Sequence, residues 1–219
     1  MIFLWMSMKT IYINDVFYSI QGEGKWMGLP NCFIRTMGCN LRCSYCDTTE
    51  AYDHGDERSL DEIITQIKPF HCDKVCITGG EPLLQEHIGL LMERLVETGY
   101  HVSVETNGSQ SLKTYLSIPH LFFSMDIKCP SSGMHEKMHI ENLSMIRQSD
   151  QIKYVVGNRE DYDYAKKLCS CYKVSCPIFF QPVWGFSLAT LAEWILEDHL
   201  NVHLGMQLHK MIWGQQAGR

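Results

Sequence analysis

The chain has 219 residues, of which 45% are hydrophobic, and this is enough to bury one sizeable core. A formal net charge of -6 argues against a nucleic-acid groove, and nothing along the chain is long and apolar enough to span a membrane. We expect a flexible tail at residues 1–9, a single domain at residues 10–219 and, because ten cysteines occur without an export signal, a cytoplasmic location.

Short apolar runs alternate with amphipathic stretches along the chain. Strands are predicted, in chain order, at residues 11–20, 32–37, 75–78, 102–105, 121–126, 152–156, 178–181 and 202–204. Helices are predicted at residues 59–68, 85–98, 112–116, 138–146, 159–171 and 187–197. This alternation indicates a parallel sheet with right-handed crossovers. About six such units are too few for a closed eight-stranded barrel, so the predicted fold class is α/β, a partial (β/α)6-type TIM-like barrel with an N-terminal strand extension.

A cysteine motif follows the second predicted strand and is the strongest chemical signal. Cys39, Cys43 and Cys46 have the spacing C-x3-C-x2-C. Three thiolates can ligate three irons of a cubane cluster, which leaves the fourth iron open to an exogenous ligand. The motif therefore predicts a [4Fe-4S] cluster with a vacant coordination position.

Zinc and disulfides are the alternatives for these cysteines. Zinc needs a closed tetrahedral set, which Cys72 with Cys76, or His135 with His139, could complete. Cys76 lies in a predicted buried strand, and the two histidines are far along the chain. A disulfide framework suits a shorter secreted chain, so we favour the cluster over both.

A glycine pair ends the next predicted strand, in the sequence Thr78-Gly79-Gly80-Glu81. Glycines let the backbone come close to a ligand, and a glutamate can accept hydrogen bonds from an ammonium group, although such a pair is more commonly only a turn. Because Gly79-Gly80-Glu81 lies one predicted strand after the cysteine motif, it resembles the GGE element of the radical S-adenosylmethionine superfamily. The resemblance implies that S-adenosylmethionine chelates the open iron and yields a 5'-deoxyadenosyl radical.

Further motifs narrow the resemblance. Gln21-Gly22-Glu23-Gly24 precedes the cysteines, Thr48 follows them, and matching segments continue at residues 103–108, 124–132, 152–156, 180–182 and 207–214. Together they resemble the 7-carboxy-7-deazaguanine synthase family over nearly the whole chain. That family contracts 6-carboxy-5,6,7,8-tetrahydropterin to the 7-deazapurine of queuosine and archaeosine and releases ammonia. The resemblance implies this lyase activity, a small-molecule pterin substrate and no direct contact with nucleic acid.

The same resemblance implies a set of site residues. Substrate contacts would come from Ile20, Gln21, Gly22, Glu23, Arg35 and Thr78. Contacts with S-adenosylmethionine would come from Tyr45, Cys46, Asp47, Gly80, Glu81, Ser124, Asp126, Lys128, Gln181, Pro182, Val183 and Trp184, and Thr48 would bind Mg2+. An amide, a carboxylate and a guanidinium do suit a pterin that carries a carboxylate.

Several alternatives stay open from the residues alone. Gln21 and Glu23 could form only a polar turn, Arg35 a surface ion pair and Thr48 a helix cap, while His209 could bind substrate or serve structure. A glycyl-radical-enzyme activase shares the cysteine spacing and GGE but should lack Gln21–Gly24 and Thr48. A non-enzymatic metal-binding or iron-delivery module would use the cysteines alone. The resemblance also implies an electron donor such as flavodoxin or ferredoxin, and a homodimer. The amphipathic helix predicted at residues 187–197 could pack in the core or form the seam of that dimer.

Overall fold

The computed structural model describes residues 9–214 and 216. Its strands are β1 Thr10–Ile20, β2 Pro30–Thr36, β3 Asp56–Ser59, β4 Lys74–Gly79, β5 His101–Thr106, β6 Leu121–Lys128, β7 Gln151–Val156, β8 Ile178–Pro182 and β9 His203–Leu204. Its α-helices are α1 Leu60–Ile67, α2 Ile88–Glu97, α3 Asn142–Met145, α4 Arg159–Cys171, α5 Leu188–Glu197 and α6 Leu208–Trp213.

One open sheet joins all of these strands, in the order β3-β1-β2-β4-β5-β6-β7-β8-β9. From β2 through β4 to β9 every neighbouring pair is parallel, whereas β1 pairs antiparallel with both β2 and β3. Six of the parallel strands have five or more residues, and β9 adds two. The predicted partial barrel with an N-terminal strand extension is confirmed.

The core lies between the sheet and the helices that cover it. All six residues of β7 are buried, as expected for a parallel strand covered on both faces. Helix α1 shows how the local sequence builds the covering layer: Glu62 N donates to Ser59 Oγ at 3.3 Å, and Ser59 N donates to Glu62 Oε2 at 2.8 Å. This capping box starts the helix, whose apolar face buries Leu60, Ile63 and Ile67.

Two predicted helices are much shorter in the structure. Residues 112–116 form only the 3-10 turn Lys113–Tyr115, and residues 138–146 contribute only α3. The buried Asn142 explains both, because its Oδ1 accepts from Leu112 N at 3.1 Å and its Nδ2 donates to Gln110 O at 2.8 Å. These bonds tie the two connections to each other in place of longer helices.

Other boundaries also differ from the predictions. Helix α2 starts three residues late, because Gln85, which follows the 3-10 turn Pro82–Leu84, has extended backbone with a ψ of 126°. Strand β3 and helix α6 were not predicted at all. The predicted tail, apart from Lys9, lies outside the described residues. Within residues 9–214 and 216, no helix is both long and apolar enough to cross a membrane.

Candidate active site

A cavity of about 750 Å³ lies at the carboxyl ends of the parallel strands. Nineteen of the predicted site residues line it, and they come from both the predicted substrate set and the predicted cofactor set. They are Ile20, Gln21, Gly22, Glu23, Arg35, Cys39, Cys43, Tyr45, Cys46, Asp47, Thr48, Thr78, Gly80, Asp126, Lys128, Gln181, Pro182, Val183 and Trp184. The volume lies in the usual range for sites that enclose small organic ligands.

The cysteine loop follows β2, and its three cysteines all line this cavity. Burial raises the pKa of the Cys39 thiol, while Leu41 N, which donates to the sulfur at 3.4 Å, favours the thiolate. In the described part of the chain, no three His, Cys, Asp or Glu side chains converge on one metal ion. A cubane does not require convergence, because each thiolate ligates a different iron, and the donor set therefore fits such a cluster.

The glycine pair after β4 is more than a turn. Gly79 has a φ of +137°, and a Cβ on it would lie 2.3 Å from Thr36 O. A Cβ on Gly80 would lie 2.1 Å from Gly38 O. Only glycines allow the end of β4 to pack this closely against the start of the cysteine loop.

Two predicted cofactor contacts, Glu81 and Ser124, are not among the residues that line the cavity in this structure. Both are completely buried. The Glu81 carboxylate accepts from Thr106 Oγ1 at 2.8 Å and from Asn107 N at 2.6 Å, and Ser124 Oγ accepts from Gln151 Nε2 at 2.7 Å. Burial raises the pKa of Glu81 to about 7, because its effect is larger than that of these hydrogen-bond donors, which act to lower the pKa. Both side chains therefore brace the wall from behind.

The Gln21–Gly24 motif is fixed by close packing at both glycines. A Cβ on Gly22 would lie 1.9 Å from His209 Nδ1, and one on Gly24, whose φ is +67°, would lie 2.0 Å from Gln151 Nε2. Gln21 Oε1 accepts from Glu23 N at 3.2 Å. The motif forms a polar turn, and its residues Gln21, Gly22 and Glu23 also line the cavity. A structural role as a turn is therefore compatible with a role in substrate contact.

A buried charge cluster forms the floor beside this motif. Lys153, whose side chain is 5% exposed, places Nζ 2.8 Å from Glu23 Oε2, 2.7 Å from Glu105 Oε2 and 3.1 Å from Asp126 Oδ1. Lys128 Nζ lies 2.6 Å from Asp126 Oδ2. Burial opposes the charge on Lys153, but the three carboxylates raise its pKa well above the usual value. We did not predict Lys153 or Glu105 as site residues, although a charged residue inside an apolar strand is a usable signal.

Arg35 lines the cavity without a protein carboxylate. Its Cζ lies 5.4 Å from the centre of the Phe17 ring, and it is half-buried. The ion pairs formed within residues 9–214 and 216 do not include it. The alternative of a surface ion pair is therefore absent from the described structure, and the guanidinium is available to an anionic ligand.

Helix α6 closes the opposite side of the cavity, where the sequence indicates only His209 as a candidate. Gln207 Nε2 donates to Glu23 Oε1 at 3.0 Å and to Asp47 Oδ2 at 3.3 Å, and Lys210 pairs with the same Asp47 oxygen. Burial acts to raise the pKa of Asp47, but Lys210 outweighs it and holds the pKa at about 2. Burial lowers the pKa of His209. These contacts join residues more than 150 positions apart, which no local pattern reveals.

Thr48 and Gln181 line the cavity with polar side-chain groups that make no hydrogen bond to the backbone of the described residues. Thr48 precedes a 3-10 turn without capping it, and its Oγ1 donates to Asp47 Oδ1 at 3.1 Å. The amide of Gln181 is buried on the cavity wall, and neither its oxygen nor its nitrogen has a partner among the described residues. Buried amides are normally satisfied, so an unpartnered one facing a cavity suits a polar ligand.

Comparisons with known proteins agree with this geometry. Residues 33–146 match the profile of the Radical SAM superfamily. A 7-carboxy-7-deazaguanine synthase from Thermoplasma acidophilum is 36% identical over 94% of this chain and 99% of its own, and one from Methanospirillum hungatei is 40% identical over 91% and 84%. The crystal structure of QueE from Escherichia coli superposes with a TM-score of 0.75 at 25% identity, over 91% of this chain and 95% of that one.

Proposed function

This chain belongs to the 7-carboxy-7-deazaguanine synthase family of the radical S-adenosylmethionine superfamily, and we propose that it converts 6-carboxy-5,6,7,8-tetrahydropterin to 7-carboxy-7-deazaguanine with release of ammonia. One observation carries the proposal: a single cavity is lined by the three cysteines and also by Gln21, Glu23 and Arg35. An activase acts on a protein loop and has no use for that second set. The product is a precursor of the 7-deazapurines queuosine and archaeosine.

Cys39, Cys43 and Cys46 hold the cluster in this proposal, and the neighbouring wall holds the cofactor. The cluster and S-adenosylmethionine supply, when bound, a carbon radical able to take a hydrogen atom from the substrate. The unpartnered amide of Gln181 and the buried hydroxyl of Tyr45 offer hydrogen bonds to polar atoms of S-adenosylmethionine. Trp184 adds an apolar surface at the rim.

Substrate binding relies on the groups around the charge cluster. Arg35 binds the pterin carboxylate with its planar fork, and Phe17 keeps the guanidinium in place from below. Lys153 holds Glu23 and Glu105 in fixed orientations, so Glu105 Oε1, and the second lone pair of Glu23 Oε1 beside Gln207, can accept from the amino edge of the pterin. Holding both ends of the ring would fix C6 relative to the cofactor, and such positioning supplies much of the rate enhancement in enzymes.

Magnesium is a finer part of the proposal, with Thr48 as its protein ligand. The Thr48 hydroxyl lines the cavity beside Asp47, and substrate oxygens and water would complete an oxygen shell. Thr48→Ala should keep the cluster and bind S-adenosylmethionine, yet lose most of its response to added Mg2+. Turnover that responds to Mg2+ as in the wild type would remove Thr48 from the metal site.

The remaining parts of the proposal concern the cell and the assembly. All ten cysteines are free thiols, which supports a reducing cytoplasm. We also propose a single domain over residues 10–219, reduction by a flavodoxin or ferredoxin, and a homodimer. In α5, Leu191 and Ile195 are buried, so that face belongs to the core. Leu196 of the same helix is exposed, and together with the exposed Leu204, Met211 and Ile212 it leaves apolar surface for a seam.

Anaerobic reconstitution with iron and sulfide tests the function. With S-adenosylmethionine, Mg2+ and a reductant, the protein should convert the pterin to 7-carboxy-7-deazaguanine. Cys46→Ala should lose both the cluster and the product, whereas Cys171→Ala, at an exposed position elsewhere, should keep both. An intact cluster that forms no product but installs a glycyl radical on a partner protein would establish the activase instead. An intact cluster that cleaves no S-adenosylmethionine would favour the iron-delivery module.

A further inference from the structure

Asn107 follows β5 and lies between the GGE element and the cysteine loop. It is 7% exposed, and its backbone N donates to Glu81 Oε2 at 2.6 Å. Its side-chain Nδ2 lies 3.7 Å from Cys39 Sγ and 3.1 Å from Asn40 Oδ1. Its Oδ1 accepts from Ser109 N at 2.9 Å. The backbone N–H and both polar atoms of the side-chain amide are therefore used.

The network fixes which way the amide points. A backbone N–H can only donate, so Ser109 N requires the oxygen of the Asn107 amide. The NH2 group must then face Cys39 and Asn40. Glu81, which is itself completely buried, anchors the backbone of Asn107 from the other side. The Nδ2 donor is thus held beside the sulfur by the hydrogen bonds of Asn107 with Ser109, Asn40 and Glu81.

We propose that Asn107 is a positioning residue of the cluster, whose amide donates a hydrogen bond to the Cys39 sulfur and raises the reduction potential of the bound cluster. The inference rests on the cluster in the proposed function. Reduction adds negative charge to the cluster and its sulfur ligands, and an N–H donor stabilises that charge. The bond therefore favours the reduced state, from which the electron passes to S-adenosylmethionine. Glu81 of the GGE element acts on the cluster through Asn107.

A purely structural role for Asn107 predicts a different sign. If the residue only filled space, a leucine of nearly the same shape would leave the potential unchanged, and any water admitted beside it would stabilise the more negative reduced state. The potential would then rise or stay unchanged. Loss of a donated hydrogen bond should instead lower the potential. The direction of the shift separates the two roles.

Asn107→Leu removes the donor and keeps nearly the same shape. Measured by EPR-monitored redox titration of the reconstituted holoprotein, its midpoint potential should become more negative. We expect the reduced-to-oxidised ratio at a fixed solution potential to fall about tenfold, which is ~59 mV for a one-electron couple. Asn40→Ala is the matched control, because it removes the other partner of Asn107 Nδ2 and leaves the sulfur contact. An unchanged or higher potential in Asn107→Leu, or an equal shift in the control, would overturn the proposal.

A second measurement decides the matter if Asn107→Leu does not assemble a cluster. Asn40→Ala protein carrying asparagine labelled with 15N in the side-chain amide should show a 15N coupling to the reduced cluster in pulsed EPR. Absence of that coupling would overturn the proposal without any change at Asn107. Wild-type protein that assembles no cluster at all would contradict the proposed function, and the two failures are therefore distinguishable.

Discussion

Arg35 is the residue at which sequence and structure combine most usefully. The sequence offered either a substrate contact or a surface ion pair, and the described structure contains no carboxylate partner for it. Arg35→Lys keeps the charge but loses the planar fork, so it should weaken pterin binding by about 1 to 3 kcal/mol. Calorimetric titration with the pterin measures this. Binding of S-adenosylmethionine should not change.

Arg58→Lys serves as the matched control, because Arg58 lies on the edge strand β3 and donates to Gln66. It should leave both affinities unchanged. Equal pterin affinity in Arg35→Lys and the wild type would remove Arg35 from the substrate site.

Glu81 gives the fold a specific pH dependence. Its pKa is about 7 in the folded protein, against 4.5 ordinarily, because burial disfavours the charged form. A raised pKa means that the folded state binds the proton more tightly, so the stabilisation is present below about pH 4.5 and is lost as pH rises through 7. Between pH 5 and 8 the loss should be about 2 to 3 kcal/mol.

Glu81→Gln carries no titrating proton and should lack this slope, even if it is less stable throughout. Urea unfolding of the apoprotein under reducing, anaerobic conditions at several pH values gives the comparison. The stability difference between wild type and variant should shrink as pH rises. A difference independent of pH would show that Glu81 does not titrate in this range.

Residues with a distinctive spacing were predictable from the sequence, whereas residues with partners far away in the chain were not. The role of Cys39, Cys43 and Cys46 is indicated by their spacing within eight consecutive positions. Lys153 acquires its role only when β7 lies beside β6, which carries Asp126, and two strands from β5, which carries Glu105. Gln207 needs the whole fold to meet Glu23.

The turn after β1 and helix α6 act as one unit at the scale of elements. Leu208 N donates to Gly22 O at 2.9 Å, and a Cβ on Gly22 would collide with His209. Gly22→Ala should therefore push α6 outward, lower stability by about 1 to 3 kcal/mol and weaken pterin binding. Thermal unfolding and pterin titration measure the two effects.

The double variant Gly22→Ala with His209→Ala makes room for the added methyl group. It should recover most of the stability lost in Gly22→Ala, with His209→Ala alone as the reference. A double variant as unstable as Gly22→Ala would mean that the collision with His209 is not the cause.

Elements were predictable where local signals dominate. Helix α4 has the predicted bounds, and Asn158 caps it by accepting from Asp161 N at 2.9 Å. Around α3, the side-chain bonds of Asn142 replace helical turns that the apolar spacing had indicated. Tertiary contacts override a local pattern in that way when a buried amide needs partners.

At the scale of the whole molecule, the fold places the cysteine loop and the buried charged side chains in one cavity. The parallel strands end at one edge of the sheet, where the cysteine loop after β2 meets the charged residues of β5, β6 and β7. The alternation of strands and helices predicted this edge, since sites of such folds gather at the carboxyl ends of strands. The distances within the cavity, and its closure by α6, depend on packing that the sequence does not display.

Transfer of hydrogen from the pterin to the cofactor tests the central claim most directly, because it requires both ligands in the same cavity. Reconstituted protein should be given S-adenosylmethionine, Mg2+, a reductant and pterin deuterated at C6, and the cofactor should be recovered during turnover. We predict deuterium in 5'-deoxyadenosine or in the recovered S-adenosylmethionine, together with 7-carboxy-7-deazaguanine. Product formation with no deuterium in either cofactor species would contradict the account.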